Sequence, residues 1–240
     1  MDKNIFYKST ILLTGADGGI GRSFIDELLK INIKKIYITG LNINALNELS
    51  KIDKRLVPIK LDITSIEDIK NIKEKCGDIN CLINNAGIEL KTDFLSFEFC
   101  QKFDKEIAVN FKGTVNLTNN LIGVLNKNRN SFIVNILSIA SLTLIDTISS
   151  YCISKMALHI YSQFLREREE TKNLKVFNVY PGYVDTSLVS DIEIDKIAPD
   201  ELVRNICEEI NDGVLDVFPD KMSKNYKESN KLKIDKFNYC

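Results

Sequence analysis

Histidine is nearly absent from this chain of 240 residues: there is one, His159. Cysteine is sparse and scattered, at Cys76, Cys81, Cys100, Cys152, Cys207 and Cys240, with no C-x-x-C pair. Ligands so few and so far apart leave no structural zinc site of the usual spacing. Six cysteines in this length are also too dilute for a disulfide scaffold. A basic surplus is missing, with 32 Lys and Arg against 33 Asp and Glu and a formal net charge of -1. General nucleic-acid binders normally carry such a surplus, so that class is set aside. No apolar run approaches the ~20 residues of a membrane span. After Met1-Asp2-Lys3-Asn4, the first apolar run, Ile11 to Leu13, is too short for the core of a secretory signal. The expectation is a cytoplasmic protein with reduced thiols, no metal, no nucleic acid and no membrane. Internal repeats, low-complexity tracts and linkers rich in Gly, Pro or Ser are also missing, which favours one domain.

What is present is an ordinary globular composition, 44% hydrophobic and 27% charged. Seven short apolar runs recur along the chain: Thr10 to Leu13, Lys35 to Ile38, Leu56 to Ile59, Ile79 to Ile83, Phe132 to Ile136, Val176 to Tyr180 and Val214 to Phe218. Near-continuous runs of this length suit strands buried on both faces of a parallel sheet. Between them, Ile20, Phe24, Leu28 and Ile31 fall on one helical side. Ser65-x-x-Asp68 starts a second helix, and two long helices are expected over roughly 101–127 and 150–170. Strand–helix alternation predicts an α/β fold, a single Rossmann-like doubly wound parallel sheet with helices on both faces. The domain is assigned to residues 1–220. Residues 221–240 form a lysine-rich C-terminal tail, with six lysines from Lys221 to Lys236, read as a solvated terminal helix or a frayed end.

The first run leads straight into Thr14-Gly15-Ala16-Asp17-Gly18-Gly19-Ile20-Gly21, where a helix opens. Glycines there let the backbone turn tightly and approach a ligand, and the helix start offers free N–H groups to a pyrophosphate. The turn lacks the Gly-Lys-Ser/Thr ending of an NTPase loop, which argues against kinase or ATPase chemistry. A glycine-rich turn without a ligand is the plain alternative. The pattern Thr14-Gly15-x-x-x-Gly19-Ile20-Gly21 resembles the cofactor turn of the compact short-chain dehydrogenases/reductases.

Downstream residues extend that resemblance. Tyr151 and Lys155 stand at i and i+4 of a helix, on one face. Alone, that spacing also fits two residues on an exposed surface. A free Tyr titrates near ~10, and a nearby Lys cation favours the phenolate, lowering that pKa toward useful proton transfer. Ser138, at the end of a strand, resembles the family's active-site serine, with Leu137 where another serine is usual. Asn84-Asn85-Ala86-Gly87 resembles the turn that lines the cofactor cleft. Asn110 matches the helix asparagine that holds a proton-relay water. Asp62-Ile63 matches the pair that contacts adenine. Pro181-Gly182, with Val184 and Thr186, matches the turn beside the nicotinamide.

The resemblance spans roughly residues 9 to 220. It implies hydride transfer between NAD(P) and a small-molecule carbonyl or secondary alcohol. Tyr151 would be the general acid/base, and Lys155 would hold the nicotinamide ribose. The family's long helices also pair, which implies a homodimer or homotetramer. A catalytically weak or inactive dinucleotide-binding regulator of the same fold is the alternative. For the cofactor, the position that usually carries an acid at the end of the second strand is Gly40, followed by Leu41, and the slot before Gly19 is Gly18. Without the acid, repulsion of a 2′-phosphate is lost, which leans the reading toward NADP(H); Asp17 in the turn pulls the other way. Residues Ile139 to Ile145 and Val184 to Ala198 would line the substrate pocket. The acids Asp185, Asp191, Glu193 and Asp195 of the second segment would disfavour anionic substrates. His159 is read as a packing or interface residue, not a catalyst.

Overall fold

The computed structural model describes residues 4–128, 130–171, 174–189 and 193–230. Seven strands form one sheet: β1 (Thr10–Leu13), β2 (Lys35–Gly40), β3 (Leu56–Lys60), β4 (Cys81–Asn84), β5 (Phe132–Ile136), β6 (Lys175–Val179) and β7 (Asp216–Val217). Their order is β3-β2-β1-β4-β5-β6-β7, and every neighbouring pair is parallel. The chain winds outward in one direction from β1 and in the other from β4. The crevice between these two strands is where open α/β sheets bind ligands. β7 is shorter than the run Val214 to Phe218, because Val214 and Leu215 are exposed beside the left-handed Gly213.

Among the described residues, eight α-helices cover the sheet: α1 (Gly19–Leu29), α2 (Ile43–Ser50), α3 (Ile66–Lys75), α4 (Phe99–Glu106), α5 (Thr114–Leu125), α6 (Ser149–Glu167), α7 (Pro199–Asn211) and α8 (Lys221–Ser229). Ser65 does cap α3, accepting from the Asp68 N–H. The long helix expected over 101–127 is instead α4 and α5 joined by a π-helical stretch, Ile107–Gly113. α2 and α7 add to the helices read from periodicity.

Alternation along the strands feeds two apolar layers. Ile11 and Leu13 of β1 point into a layer with Phe24 and Leu28 of α1 and Leu202 and Ile206 of α7. Leu12 points to the opposite layer, with Leu82, Ile133, Leu117 and Leu121 of α5, and Leu165 of α6. Each such side chain, taken fully out of water, contributes about 1.5–3 kcal/mol.

The second layer also holds a polar row. Asn84, Asn135 and Asn178 are register partners across β4, β5 and β6. Asn84 Nδ2 donates to Asn135 Oδ1 (2.8 Å) and to Thr118 Oγ1 (3.1 Å), and Asn135 Nδ2 donates to Ser162 Oγ (2.9 Å). Buried amides need such partners, and here they come from neighbouring strands and facing helices.

Part of the lysine-rich tail is built into the domain. Asp220 and Ser223 form a capping box at the start of α8. Asp220 Oδ2 also accepts the Gly182 N–H (2.8 Å), and Tyr226 donates its hydroxyl to the Leu142 carbonyl. Residues 231–240 lie outside the described residues. Among the described residues, no helix is long and apolar enough to cross a membrane, and no cluster of His, Cys, Asp or Glu is arranged to hold a metal.

Candidate active site

The glycine turn packs against the turn after β4. Gly15 has φ +61, and a Cβ there would lie 3.0 Å from Ala86 Cα. A Cβ on Gly21 would lie 2.2 Å from the Gly15 carbonyl oxygen, so only glycine lets the helix start this close to the turn. Thr14 ties the two turns together: its Oγ1 accepts the N–H groups of Asn85 (2.9 Å) and Ala86 (3.0 Å). Asn85 Nδ2 returns bonds to the carbonyls of Thr14 (2.9 Å) and Gly15 (3.0 Å). α1 begins at Gly19; its N-cap, Gly18, offers no side-chain cap, and no acid stands in its first turn. Its leading N–H groups are therefore available to an anion.

Two adjoining cavities meet over this brace, sharing Ile20, Asn85, Gly87, Thr186 and Leu188. The larger, of about 340 Å³, is lined by Thr14, Gly15, Asp17, Gly19, Gly40, Leu41, Asp62, Ile63 and Ala86. The smaller, of about 110 Å³, is lined by Ser138, Tyr151, Lys155, Pro181, Gly182 and Val184. An elongated ligand lying across both would reach from the glycine turn to the Tyr151 hydroxyl. The residues expected from sequence thus converge, with three exceptions. Gly21 serves helix–turn packing, and Asn84 belongs to the buried asparagine row.

Asn110 is the third. It is buried in the π-helical stretch, and its Oδ1 accepts the Ile88 N–H (2.8 Å). Its Nδ2 donates to the Ile88 carbonyl (2.9 Å) and to Ser154 Oγ (2.9 Å). The amide thus spends both donors inside the protein and fixes the strand extension after Gly87 against α6. Its visible work is positioning.

Ser138, Tyr151 and Lys155 form the polar floor of the smaller cavity. Ser138 is held by two contacts: its Oγ accepts the Ala140 N–H (3.1 Å) and faces the Pro181 carbonyl (3.5 Å). Lys155 is 4% exposed, and its ammonium donates to the Ile136 carbonyl (2.8 Å) at the end of β5. It stands 5.7 Å from the centre of the Tyr151 ring. Burial pushes the Lys155 pKa down to about 8. Burial likewise raises the Tyr151 pKa; the Glu89 carboxylate adds to the rise, and a hydrogen bond with Ser138 works against it. This corrects the expectation that Lys155 brings the phenol down. Burial shifts both groups toward their neutral forms, so Tyr151 stands as a hydroxyl with a proton to donate.

Two acids were not legible as site residues. Glu89 lines the smaller cavity, and Glu106 lies behind it, fully buried, with Oε1 accepting the Leu90 N–H (2.7 Å). Glu89 stands two residues beyond the Asn84 to Gly87 turn, a placement that could have flagged it. Conversely, Asp185, Glu193 and Asp195 do not line that cavity, and Asp191 lies outside the described residues. Ile139, Ala140 and Ile145 supply the apolar wall, while Leu144 is exposed. His159 is buried, its Nδ1 2.9 Å from the Tyr180 hydroxyl, away from the cavity.

Comparison with known proteins agrees with this geometry. Residues 9–196 match the family model for the short chain dehydrogenases. The chain is 29% identical over 206 residues to an NADP-dependent 3-hydroxy acid dehydrogenase of Schizosaccharomyces pombe, covering 82% of this chain and 80% of that protein. A crystal structure of a short chain dehydrogenase from Burkholderia cenocepacia in complex with NADP superposes with a TM-score of 0.89 at 26% identity, over 98% of this chain and 97% of the other. One from Burkholderia phymatum in complex with NAD superposes at 0.82 over 96% and 95%, and at 16% identity it speaks for the fold alone. By the span of the family match and by its seven-stranded parallel sheet, the chain belongs to the short-chain dehydrogenase/reductase family of oxidoreductases.

Proposed function

We propose that this protein is a nicotinamide-dependent oxidoreductase acting on a carbonyl or secondary alcohol, with Tyr151 as its proton donor and acceptor. The observation that carries the reading is the meeting of Ser138, Tyr151 and Lys155 at one end of a glycine-braced cleft. The cleft suits a dinucleotide on its own terms. The uncapped start of α1 leaves its N–H groups open to an anion, and a Cβ on Gly87 would stand 3.4 Å from Lys155 Nζ, in the passage joining the cavities. Thr14, Gly15, Gly19, Ile20, Asp62, Ile63, Asn85 and Ala86 would hold the adenosine and pyrophosphate half. Pro181, Gly182, Val184 and Thr186 would hold the other half. When bound, the nicotinamide supplies or accepts the hydride, and the protein supplies position and proton handling.

Ser138 donates to the substrate oxygen, and Tyr151 gives that oxygen its proton as the carbonyl is reduced. The buried Lys155 ammonium has donors beyond its bond to Ile136, which suits the ribose hydroxyls of the nicotinamide half. Beyond Ser138, Tyr151 and Lys155, the smaller cavity has largely apolar walls and the acid Glu89, which disfavours an anion, so the substrate class is uncharged carbonyls and alcohols. Tyr151→Phe keeps the ring and removes the proton, so cofactor binding persists while kcat falls by about 10²–10⁴-fold. Assays on a neutral ketone and a keto acid of equal length then show wild type favouring the ketone and the variant losing both. Wild-type turnover in Tyr151→Phe would refute the assignment.

The chain is further read as a homodimer or homotetramer. α6 presents Ile153, Ile160 and Phe164 to solvent, and Phe164 is 64% exposed. Such a row needs a cover. Light scattering should return two or four times 27.3 kDa; a monomer at micromolar concentration would refute the pairing.

A further inference from the structure

The larger cavity carries an acid where the strand it adjoins has none. β2 ends at Gly40, and the next residue, Leu41, is an exposed apolar side chain. In dinucleotide-binding sheets, an acid at this strand end accepts from the adenosine ribose 2′-hydroxyl, and a cation there accommodates a 2′-phosphate. From sequence, Gly40 therefore reads as an acid lost. In the fold, the volume is refilled from another element. A Cβ built on Gly40 would lie 2.7 Å from Asp17 Oδ1 and 3.2 Å from Asp17 Cγ. The carboxylate of the glycine turn thus occupies the space in which a side chain at position 40 would begin.

The placement is fixed on both sides. The Ala16 N–H donates to the Thr39 carbonyl (2.9 Å), joining the turn to β2 one residue from each partner. Arg22 Nε donates to the Asp17 main-chain oxygen (3.0 Å), which holds the turn without engaging the carboxylate. Asp17 and Asp62 are the charged residues lining this cavity, and among the described residues no Lys or Arg joins them. Asp62 is partly engaged, its Oδ1 accepting the N–H and hydroxyl of Thr64 (2.8 and 2.7 Å). The Asp17 carboxylate has no hydrogen bond or ion pair within the described residues, so both oxygens stand ready as acceptors.

We propose that Asp17 replaces the missing acid of β2, accepting from the ribose 2′-hydroxyl and excluding a 2′-phosphate, so that the chain selects NAD(H) over NADP(H). This rests on the oxidoreductase reading above and reverses the lean toward NADP(H) drawn from Gly40 and Leu41. The sequence comparison sees an uncharged residue at the strand end; the cavity sees a carboxylate at the same place. A 2′-phosphate would bring further negative charge against it with no cation on the wall to receive it.

Equilibrium titration of the full chain with NADH and with NADPH, followed by the fluorescence of the reduced nicotinamide, tests this without turnover. Wild type should bind NADH at least tenfold more tightly, a difference of about 1.4 kcal/mol. Asp17→Asn keeps the shape and removes the charge, so NADPH should tighten by about fivefold or more and the preference should collapse. Asp17→Ala should additionally weaken NADH, through loss of the ribose contact. Equal binding of both cofactors by wild type, tighter binding of NADPH, or an unchanged ratio in Asp17→Asn would overturn the proposal and leave the oxidoreductase reading intact. Binding of neither cofactor would overturn both.

Discussion

Lys155 shows how the site trades stability for chemistry. Its ammonium is almost completely buried beside one carbonyl, and burial lowers its pKa from 10.5 to about 8. The folded state therefore holds that proton less firmly than the unfolded chain. The penalty is fully present below pH 8 and fades as pH rises from 8 toward 10.5, where the unfolded state still binds the proton and the folded state does not. Replacement by an uncharged chain of similar length, Lys155→Met, should raise stability at pH 7 by roughly 1–3 kcal/mol, and the gain should shrink across that window. The same variant should lose activity. Thermal unfolding at pH 7 and pH 10 measures this, and a lower Tm for Lys155→Met at pH 7 would count against the burial penalty. Tyr151 titrates the opposite way, since its raised pKa keeps it protonated at neutral pH.

At the scale of elements, the cleft is set by ties between segments far apart in sequence. Thr14 and Asn85 lock the first turn to the fourth, Asn110 locks Ile88 to α6, and Asp220 locks the Pro181-Gly182 turn to α8. The last tie draws the start of the lysine-rich tail into the site. Asp220→Ala removes the α8 capping box and leaves the Gly182 N–H without its acceptor. Loss of a cap alone costs about 0.5–2 kcal/mol. Denaturant unfolding should show at least that loss, and KM for the cofactor should rise; unchanged stability would show that α8 is not docked through Asp220.

These ties also explain what was legible in advance. Spacing along one element was readable: the apolar runs, the glycine turn, and Tyr151 with Lys155 on one helix face. Which distant partner consumes a polar group was not. Asn110 was legible as a helix asparagine, but the spending of its amide on Ile88 and Ser154 was not. Gly40 looked like an empty position, yet Asp17 stands over it. Glu89 carried no motif, yet it lines the cavity that holds Ser138, Tyr151 and Lys155. The π-helical turn at Ile107–Gly113 breaks an otherwise even helical period, and nothing in the spacing of apolar residues marks it.

For the whole molecule, one sheet with an apolar layer on each face supports a cleft at its crevice, and the proposed site lies where the carboxyl ends of β4, β5 and β6 meet α6. The fold supplies position, and the site decides function. The central claim is that hydride passes between a nicotinamide held in this cleft and a carbonyl carbon beside Tyr151. Incubation with reduced nicotinamide cofactor carrying deuterium at C4 and an uncharged ketone, with the product analysed by mass spectrometry, tests it directly. Deuterium on the carbinol carbon, one per cofactor oxidised, is the predicted result. Bound cofactor with no label transferred to any uncharged ketone would contradict the account and leave a dinucleotide-binding protein without redox chemistry.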